Sequence, residues 1–578
     1  MHRFSFAWPR HGLLAAGRRT IALVAAASLA ACATGPDAAT AGPPPFPDDM
    51  DGPVVECDVI VAGGSLAAFA SALHAAREGA VTCLVEPTVR VGGQMTAEGV
   101  SAPDFAGHMV DSLNVGFLSR HSANQAPELA AWLRRLGSPG RCWVSSWCLP
   151  TASILGLFED AARAEARLRI FRQAVVARVE TRPSEARAGM REIVSIDAVQ
   201  RGGSDESSFL SDVVAEWYDP SPSLHYPEKR TLTFVGREGR MPVVVEASAF
   251  GDVLVLSGAR WLQGADATDG GTALENDTCG LAIVFPFALE YRATPVGEGD
   301  AGFVAAPAAN DPRFSLGTFG WERVWTYRRL QSTDAAPQPG DLSMQNWNPG
   351  NDYRGGYYLQ GVADTRREAA AGWRGGLRVD VIREAERQAL DYAAWYREQA
   401  PASVRPFLAL SRTWGHTTGL APMPYLRDTR RSVGLDDYVL PGRAFAGPGS
   451  QFTGTVFPDR VAIGAYQYDF RPLRGCRMST YGVSSYAALP YYIPFRALTS
   501  GDVANMLVAG KSMAQSTLAN TATRLHPTEW HTGIAAGVAA AWMSAREVDS
   551  RAALERVAEV QARIGRWAPL EWTMVTPR

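Results

Sequence analysis

Excess charge, long apolar runs and clustered metal ligands are all scarce in this sequence, and each scarcity removes a class of function. The 56 Lys and Arg nearly balance the 59 Asp and Glu, for a net charge of −3. Neither nucleic acid nor strong electrostatic attraction to anionic lipid is therefore expected. Past the first 32 residues no stretch is apolar enough to anchor the chain in a bilayer. The seven cysteines and nine histidines include no Cys-x-x-C and no His/Cys cluster with ligand spacing, so no metal site is expected. No internal repeat is visible. What remains is a chain of 578 residues, 46% hydrophobic and 20% charged, which can bury a large core in two or more domains and has a small molecule as its expected partner.

Residues 1–32 read as a signal peptide. Arg3, Arg10, Arg18 and Arg19 precede the apolar run Ile21–Ala31, which is too short to span a bilayer. Leu29-Ala30-Ala31-Cys32 resembles a bacterial lipobox. That resemblance implies a lipid on Cys32 as the only membrane contact, and Ala33 after it favours the outer membrane, at the periplasmic face of the cell envelope. Arg18-Arg19 adds twin-arginine export as a route. Residues 33–55, rich in Pro, Ala, Gly and Asp, read as a flexible tether. Of the other cysteines, Cys57 and Cys83 lie in or beside core strands and are expected as buried thiols, whereas Cys142 and Cys148 are close enough to pair in an oxidising periplasm.

The stretch from Cys57 to Glu86 is one strand–helix–strand unit. Asp58–Ala62 is an apolar strand, Gly63-Gly64-Ser65 a turn, Ala67–Arg77 a small-residue helix closed by Gly79, and Val81–Val85 a second strand. Gly63, Ser65 and Ala68 occupy the G-x-G-x-x-G/A positions of a dinucleotide site, with the helix N-terminus offered to a pyrophosphate and Glu86 to a ribose hydroxyl. Ser65 stands where the second glycine lets backbone approach the phosphates. Either its hydroxyl replaces a backbone contact or binding is weakened.

Further along, Val91-Gly92-Gly93-Gln94 is a glycine-rich turn past the second strand. Helices are predicted over Ala126–Leu136 and Ser153–Ala166, strands over Arg169–Thr181, Glu192–Gln200 and Thr231–Phe234, and Lys229–Glu246 as a β-meander; Gly202–Ser223 reads as loop. Asp252, between a strand and a helix, is placed to cap that helix. From 264 to 447 aromatics mix with Asn, Gly and Arg, the βαβ rhythm is lost, and one long helix, Leu377–Gln399, stands out. Near the C-terminus, Met506–Ala509 is a short strand, Gly510 a turn, and Pro527 begins a helix to about Arg546 whose small face (Gly533, Ala536, Gly537, Ala540) can lie tightly on a sheet or cofactor.

Together the stretches DVIVAGGSLAA, VGGQMTAEGVSAPD, CWVSSWC, EASAFGDVLVLSGA, QNWNPGNDY, PYLRDTRR, YYIPFRAL, NMLVAGKSM and RLHPTEWHTGIAAG resemble the FAD-dependent oxidoreductase family with a glutathione-reductase-like flavin domain. The resemblance implies an α/β fold. A Rossmann-like FAD-binding domain (βαβ, central parallel sheet, β-meander) would take residues 56–263 and 448–547, an inserted α+β substrate domain residues 264–447, and a helical tail residues 548–578. It places Gly63, Gly64, Ser65 and Ala68 at the FAD pyrophosphate, Glu86 at the adenosine ribose, Gly92, Gly93 and Gln94 on the flavin side with Asp252 nearby, and Gly510 at the ribityl phosphate. The helix that opens with Pro527 and Thr528 would aim its N-terminus at the flavin pyrimidine edge, where reduction places negative charge. Hydride transfer from a small organic substrate also asks for a base near the flavin. His526, Glu529 and His531 are the candidates, with helix capping and solvent exposure as their plainer roles. Arg524 could hold an acidic substrate or pair with a carboxylate; Asp104, His108, His416 and Arg427, Arg430 and Arg431 are further polar residues to place. The alternatives are an NAD-dependent dehydrogenase, or a non-catalytic binding lipoprotein that keeps the flavin fold. Substrate and electron acceptor are left open.

Overall fold

The computed structural model describes residues 54–574 apart from 106–114, 204–206, 271–274, 298, 333, 335, 448–451, 479–483, 485 and 486. The signal peptide with Cys32, nearly all of the tether, and His108 lie outside the described residues.

Four short, fully buried strands and a partly exposed fifth make a parallel sheet in the spatial order Met506–Val508, Val243–Glu246, Val59–Ala62, Thr82–Glu86, Leu168–Arg172, the last being the partly exposed one. Continuous Val/Ile/Leu runs are what a sheet covered on both faces requires. The α/β class expected from the sequence is the class observed. The meander is differently composed: Ala174–Pro183, Arg191–Arg201 and Lys229–Gly236 run antiparallel, and Val54–Cys57 joins the last of them in parallel. Val243–Glu246 leaves the meander because all four residues are buried and pair on both sides within the parallel sheet. Gly202–Ser223 is less loop-like than expected; it carries a short helix, Leu210–Val213, and buries Trp217 and Tyr218.

Helix Leu66–Arg77 covers one face of the parallel sheet and helix His526–Ser544 lies on it. A Cβ at Gly533 would stand 2.4 Å from the Ala67 carbonyl oxygen, and one at Gly537 2.1 Å from that of Ser71. Gly533 and Gly537 of the small-residue stripe thus serve helix-on-helix contact, and the Ser71 hydroxyl donates to the Gly533 carbonyl across it at 3.0 Å.

A second, antiparallel sheet runs Leu408–Leu410, Phe287–Tyr291, Leu342–Gln345, Arg328–Gln331, Arg141–Cys142. Its last strand comes from the N-terminal part of the chain. Helix Val379–Glu398 buries Ile382, Ala385, Ala389, Tyr392 and Tyr396 on one face. Cys57 and Cys83 are not free thiols: their α-carbons are 6.0 Å apart and the pair is bridged, within ordinary disulfide reach. Cys142–Cys148 and Cys279–Cys476 are the other bridges. No helix among the described residues is long and apolar enough to cross a membrane.

Candidate functional site

The parallel sheet ends its strands on one edge, and the turn after Val59–Ala62 is the tightest point there. A Cβ at Gly63 would meet the Val85 carbonyl oxygen at 2.5 Å, and Gly64 has φ +107°, which side chains rarely adopt. Ser65 caps helix Leu66–Arg77: its Oγ accepts from the Ala68 N–H at 3.0 Å and donates to the Ala247 carbonyl at 2.6 Å. In this arrangement the hydroxyl that stands in for glycine holds the helix start and the neighbouring strand end.

Glu86 is 1% exposed at the end of its strand. One carboxylate oxygen accepts from the Thr88 N–H and hydroxyl, and the other has no partner. Burial pushes its pKa up to about 7 against those hydrogen bonds. An unpartnered buried acceptor at this position fits a ribose hydroxyl donor. Gly93 (φ +42°) presses on the same turn, because a Cβ there would lie 2.6 Å from Ser65 Cα, while one at Gly92 would run into the Phe158 ring at 2.5 Å. These two glycines seat Gln94, fully buried, with neither amide atom partnered.

Beneath Ser65 lies a cluster of buried charges. Lys511, one of the chain's two lysines, donates to Glu529. Burial alone would lower the Lys511 pKa, but Glu529 and Glu98 more than offset it and the ammonium is held above its ordinary value. Glu98 is pushed up to about 8, mainly by burial. Ser65, Glu98, Ala249 and Lys511 share one crevice, and a second runs past Gly63, Pro87 and Asp252. Gly510 (φ +62°) packs against helix Leu66–Arg77, where a Cβ would meet that of Ala67 at 2.9 Å.

Beyond Gln94 opens a cavity of about 490 Å³ that reaches Asp104, Leu525 and His526 on one side and the antiparallel sheet on the other. Four guanidinium groups line it. Arg524 pairs with Asp469 at 2.5 Å, Arg471 with Asp469 at 2.9 Å, and Arg427 with Asp352 at 2.7 Å. These arginines hold the Asp469 carboxyl below the ordinary carboxylate range in spite of its burial. Arg328 has neutral partners, Asn346 Oδ1 and the Ala102 carbonyl, each at 3.0 Å. Trp143, Phe319, Tyr327 and Trp347 wall the other end.

The three expected catalytic residues are placed apart. His526 reaches the cavity, but its Nε2 is 2.8 Å from the Val100 carbonyl oxygen and its Nδ1 accepts the Asp104 N–H at 3.2 Å. Burial pushes its pKa down to about 3. It bridges two loop backbones and does not cap its helix, whose N-cap is Leu525 with no side-chain hydrogen bond. His531 is buried, does not line the cavity, and is pushed down to about 4 by burial. Glu529 is equally buried and paired with Lys511, so neither residue faces solvent. Pro527 and Thr528 form the first turn of the helix, with the Thr528 hydroxyl 3.3 Å from that of Tyr491.

Asp252 does not cap its helix; Gly251 is the N-cap, and the orphan N–H groups there go to Ser248 Oγ and Glu246. The Asp252 carboxylate instead takes the Trp373 indole N–H at 3.1 Å and faces Tyr218, and burial, with Glu246 adding to it, pushes its pKa up to about 7. Arg430 is buried with its Nη groups on the Phe250, Gly375 and Gly376 carbonyls, and Arg431 is buried and paired with Asp266 and Asp428. His416 bonds Thr418 and does not line the cavity. Sequence reading missed Arg328, Arg471 and Asp469, which come from separate stretches and meet only in the fold; the aromatics of the middle stretch, Tyr327 and Trp347 among them, were legible as candidates for stacking on a ring, but not their meeting with Trp143 and Phe319. For Lys511 there was a signal: a rare lysine directly after Gly510.

The sequence matches the FAD dependent oxidoreductase family over residues 58–209 and 233–564. No curated protein matches it. Among solved structures it is similar to the quinol fumarate reductase FrdA of E. coli (11% identity, 88% of this chain and 74% of that one, TM-score 0.32). It is also similar to the OxyS anhydrotetracycline hydroxylase of Streptomyces rimosus (10% identity, 43% and 40%, TM-score 0.22) and to GidA of Aquifex aeolicus (15% identity, 34% and 26%, TM-score 0.20). The chain thus spans less than half the length of the last two, and likenesses this distant do not bear on activity. The family match covers most of the chain: the chain belongs to the FAD dependent oxidoreductase family and is an FAD-dependent enzyme.

Proposed function

We propose that this enzyme is an envelope lipoprotein that oxidises a small organic substrate bound in the cavity beyond Gln94, passing a hydride to FAD. The observation that carries the reading is the position of Gln94: a fully buried amide, unpartnered at both ends, where the glycine-turn region meets the cavity. When bound, FAD supplies a two-electron acceptor. Glycines 63, 64 and 93 keep side chains off the phosphate path, Glu86 takes the ribose, Lys511 offers a cation beside the helix start, and the uncapped N-terminus of helix His526–Ser544 favours negative charge at the cavity floor. With His526 bonded at both nitrogens, the acid assigned to the proton leaving the substrate is Asp104, a residue that lines the cavity and whose backbone N–H meets His526. Support for the envelope location is the pairing of all six cysteines after Cys32, as expected where disulfides persist.

The test is Asp104→Asn. It should leave flavin content unchanged and slow flavin reduction by substrate on the order of 10²–10⁴-fold, the contribution of a positioned general base. A native reduction rate would remove Asp104 from the reaction.

A further inference from the structure

The cavity has two chemically distinct ends close together, and their residues specify what fills it. At one end Trp143, Phe319, Tyr327 and Trp347 form an aromatic wall. Trp143 stands with ring centroids 5.0 Å from Phe319, 5.4 Å from Tyr327 and 5.9 Å from Trp347, all edge-on. Phe319 is 41% exposed and marks the mouth; Trp347 is 8% exposed.

At the other end is a buried positive charge with no counter-ion among the described residues. Arg328 is 5% exposed. Its Nε and Nη1 go to neutral oxygens, and no described carboxylate lies within ion-pair distance of it. Its three neighbours each have an acid partner. Counting, among the described residues, Asp104, Asp469 and Arg427's partner Asp352 against Arg328, Arg427, Arg471 and Arg524, the site carries one positive charge more than it neutralises. A guanidinium taken out of water without an anion is costly, and an anion from outside removes that cost with charge-assisted hydrogen bonds. Arg328 directly follows Tyr327, and its Cζ lies 5.3 Å from the Tyr327 ring centroid, so the two ends are about one small molecule apart.

We propose that the substrate is a carboxylate borne on a ring, with the carboxylate on Arg328 and the ring against Trp143, Phe319 and Trp347. This rests on the reading of the cavity as the substrate site. Gln94, buried and unpartnered at both amide atoms, lines the cavity at the end nearer the glycine turn.

The experiment uses the full-length flavin-loaded protein and three probes: benzoate, benzyl alcohol (ring without charge) and acetate (charge without ring). Benzoate is expected to perturb the flavin absorbance saturably and to raise the melting temperature, with the other two at least tenfold weaker. Arg328→Gln should cut benzoate affinity at least tenfold with flavin content unchanged, and Arg328→Lys should restore part of it. Because Arg328 also holds Ala102 and Asn346, Phe319→Ala at the exposed mouth is the second variant; it should weaken benzoate, spare acetate, and leave the unliganded melting temperature unchanged. Flavin-loaded protein that ignores benzoate, or binds acetate or benzyl alcohol equally well, overturns the inference while leaving the cavity's role intact. Benzoate that binds through Arg328 without perturbing the flavin overturns the reading of the cavity as the place of hydride transfer.

Discussion

His526 Nε2 lies 2.8 Å from the carbonyl oxygen of Val100 while its Nδ1 takes the backbone N–H of Asp104, and this pair of bonds makes the histidine a brace between loops. His526→Ala should lower stability by roughly 1–3 kcal/mol for each buried backbone group left unpaired. Flavin reduction by substrate in the folded fraction should change less than tenfold, far short of the loss expected for Asp104→Asn. Melting curves and stopped-flow reduction separate the two roles; a slow step of 10²-fold or more with unchanged melting would return His526 to the chemistry.

Gly93 touches the dinucleotide turn where no side chain fits, with a Cβ position 2.7 Å from the Gly64 carbonyl oxygen. Gly93→Val should cost on the order of 1–3 kcal/mol in backbone strain alone and empty the FAD site. The ratio of flavin to protein absorbance after purification reads this directly. Full occupancy would place the pyrophosphate elsewhere.

Glu98 ties stability to pH. In the fold it titrates at about 8, from an ordinary 4.5, through burial, with Lys511 opposing and Glu529 adding to the rise. Between those values the folded chain keeps a proton that the unfolded chain has lost, so stability falls as pH rises. Glu86 and Asp252 act the same way up to about 7. His526 and His531, pushed down by burial, oppose them only below their ordinary 6.5. From pH 6.5 to 8 the melting temperature should drop, and Glu98→Gln should flatten that drop. An identical slope in the variant would mean that Glu98 is ionised throughout.

Cys32→Ala should move the protein from the membrane fraction to the soluble periplasm, since no described helix can span a bilayer. Thiol titration of that mature variant should find no reactive thiol, all six remaining cysteines being paired. Membrane retention after a high-salt wash would remove the lipid anchor from the account.

Local signals carried the fold further than the site. The Cys57–Glu86 unit was readable because its strand, turn, helix and strand are contiguous, and helix Leu66–Arg77 begins within a residue of the expected start. Helix Val379–Glu398 was readable as the one long helix of its stretch, expected over Leu377–Gln399. The Cys57–Cys83 bridge was not, since two cysteines beside core strands look the same whether or not the fold brings them together. Nor did the sequence order reveal that Arg141–Cys142 extends the sheet holding Arg328, and that is what carries Trp143 to the aromatic wall. The histidines of RLHPTEWHTG were misleading for a related reason. Successive positions of a buried helix face different neighbours, so His526 meets a loop, Glu529 meets Lys511 and His531 turns toward Ile463.

The visible absorption spectrum of the purified mature protein tests the central claim most directly. The account predicts a yellow protein with the flavin bands at one FAD per chain, bleached when a reducing substrate is added without oxygen. A colourless protein that fails to bind added FAD would contradict it.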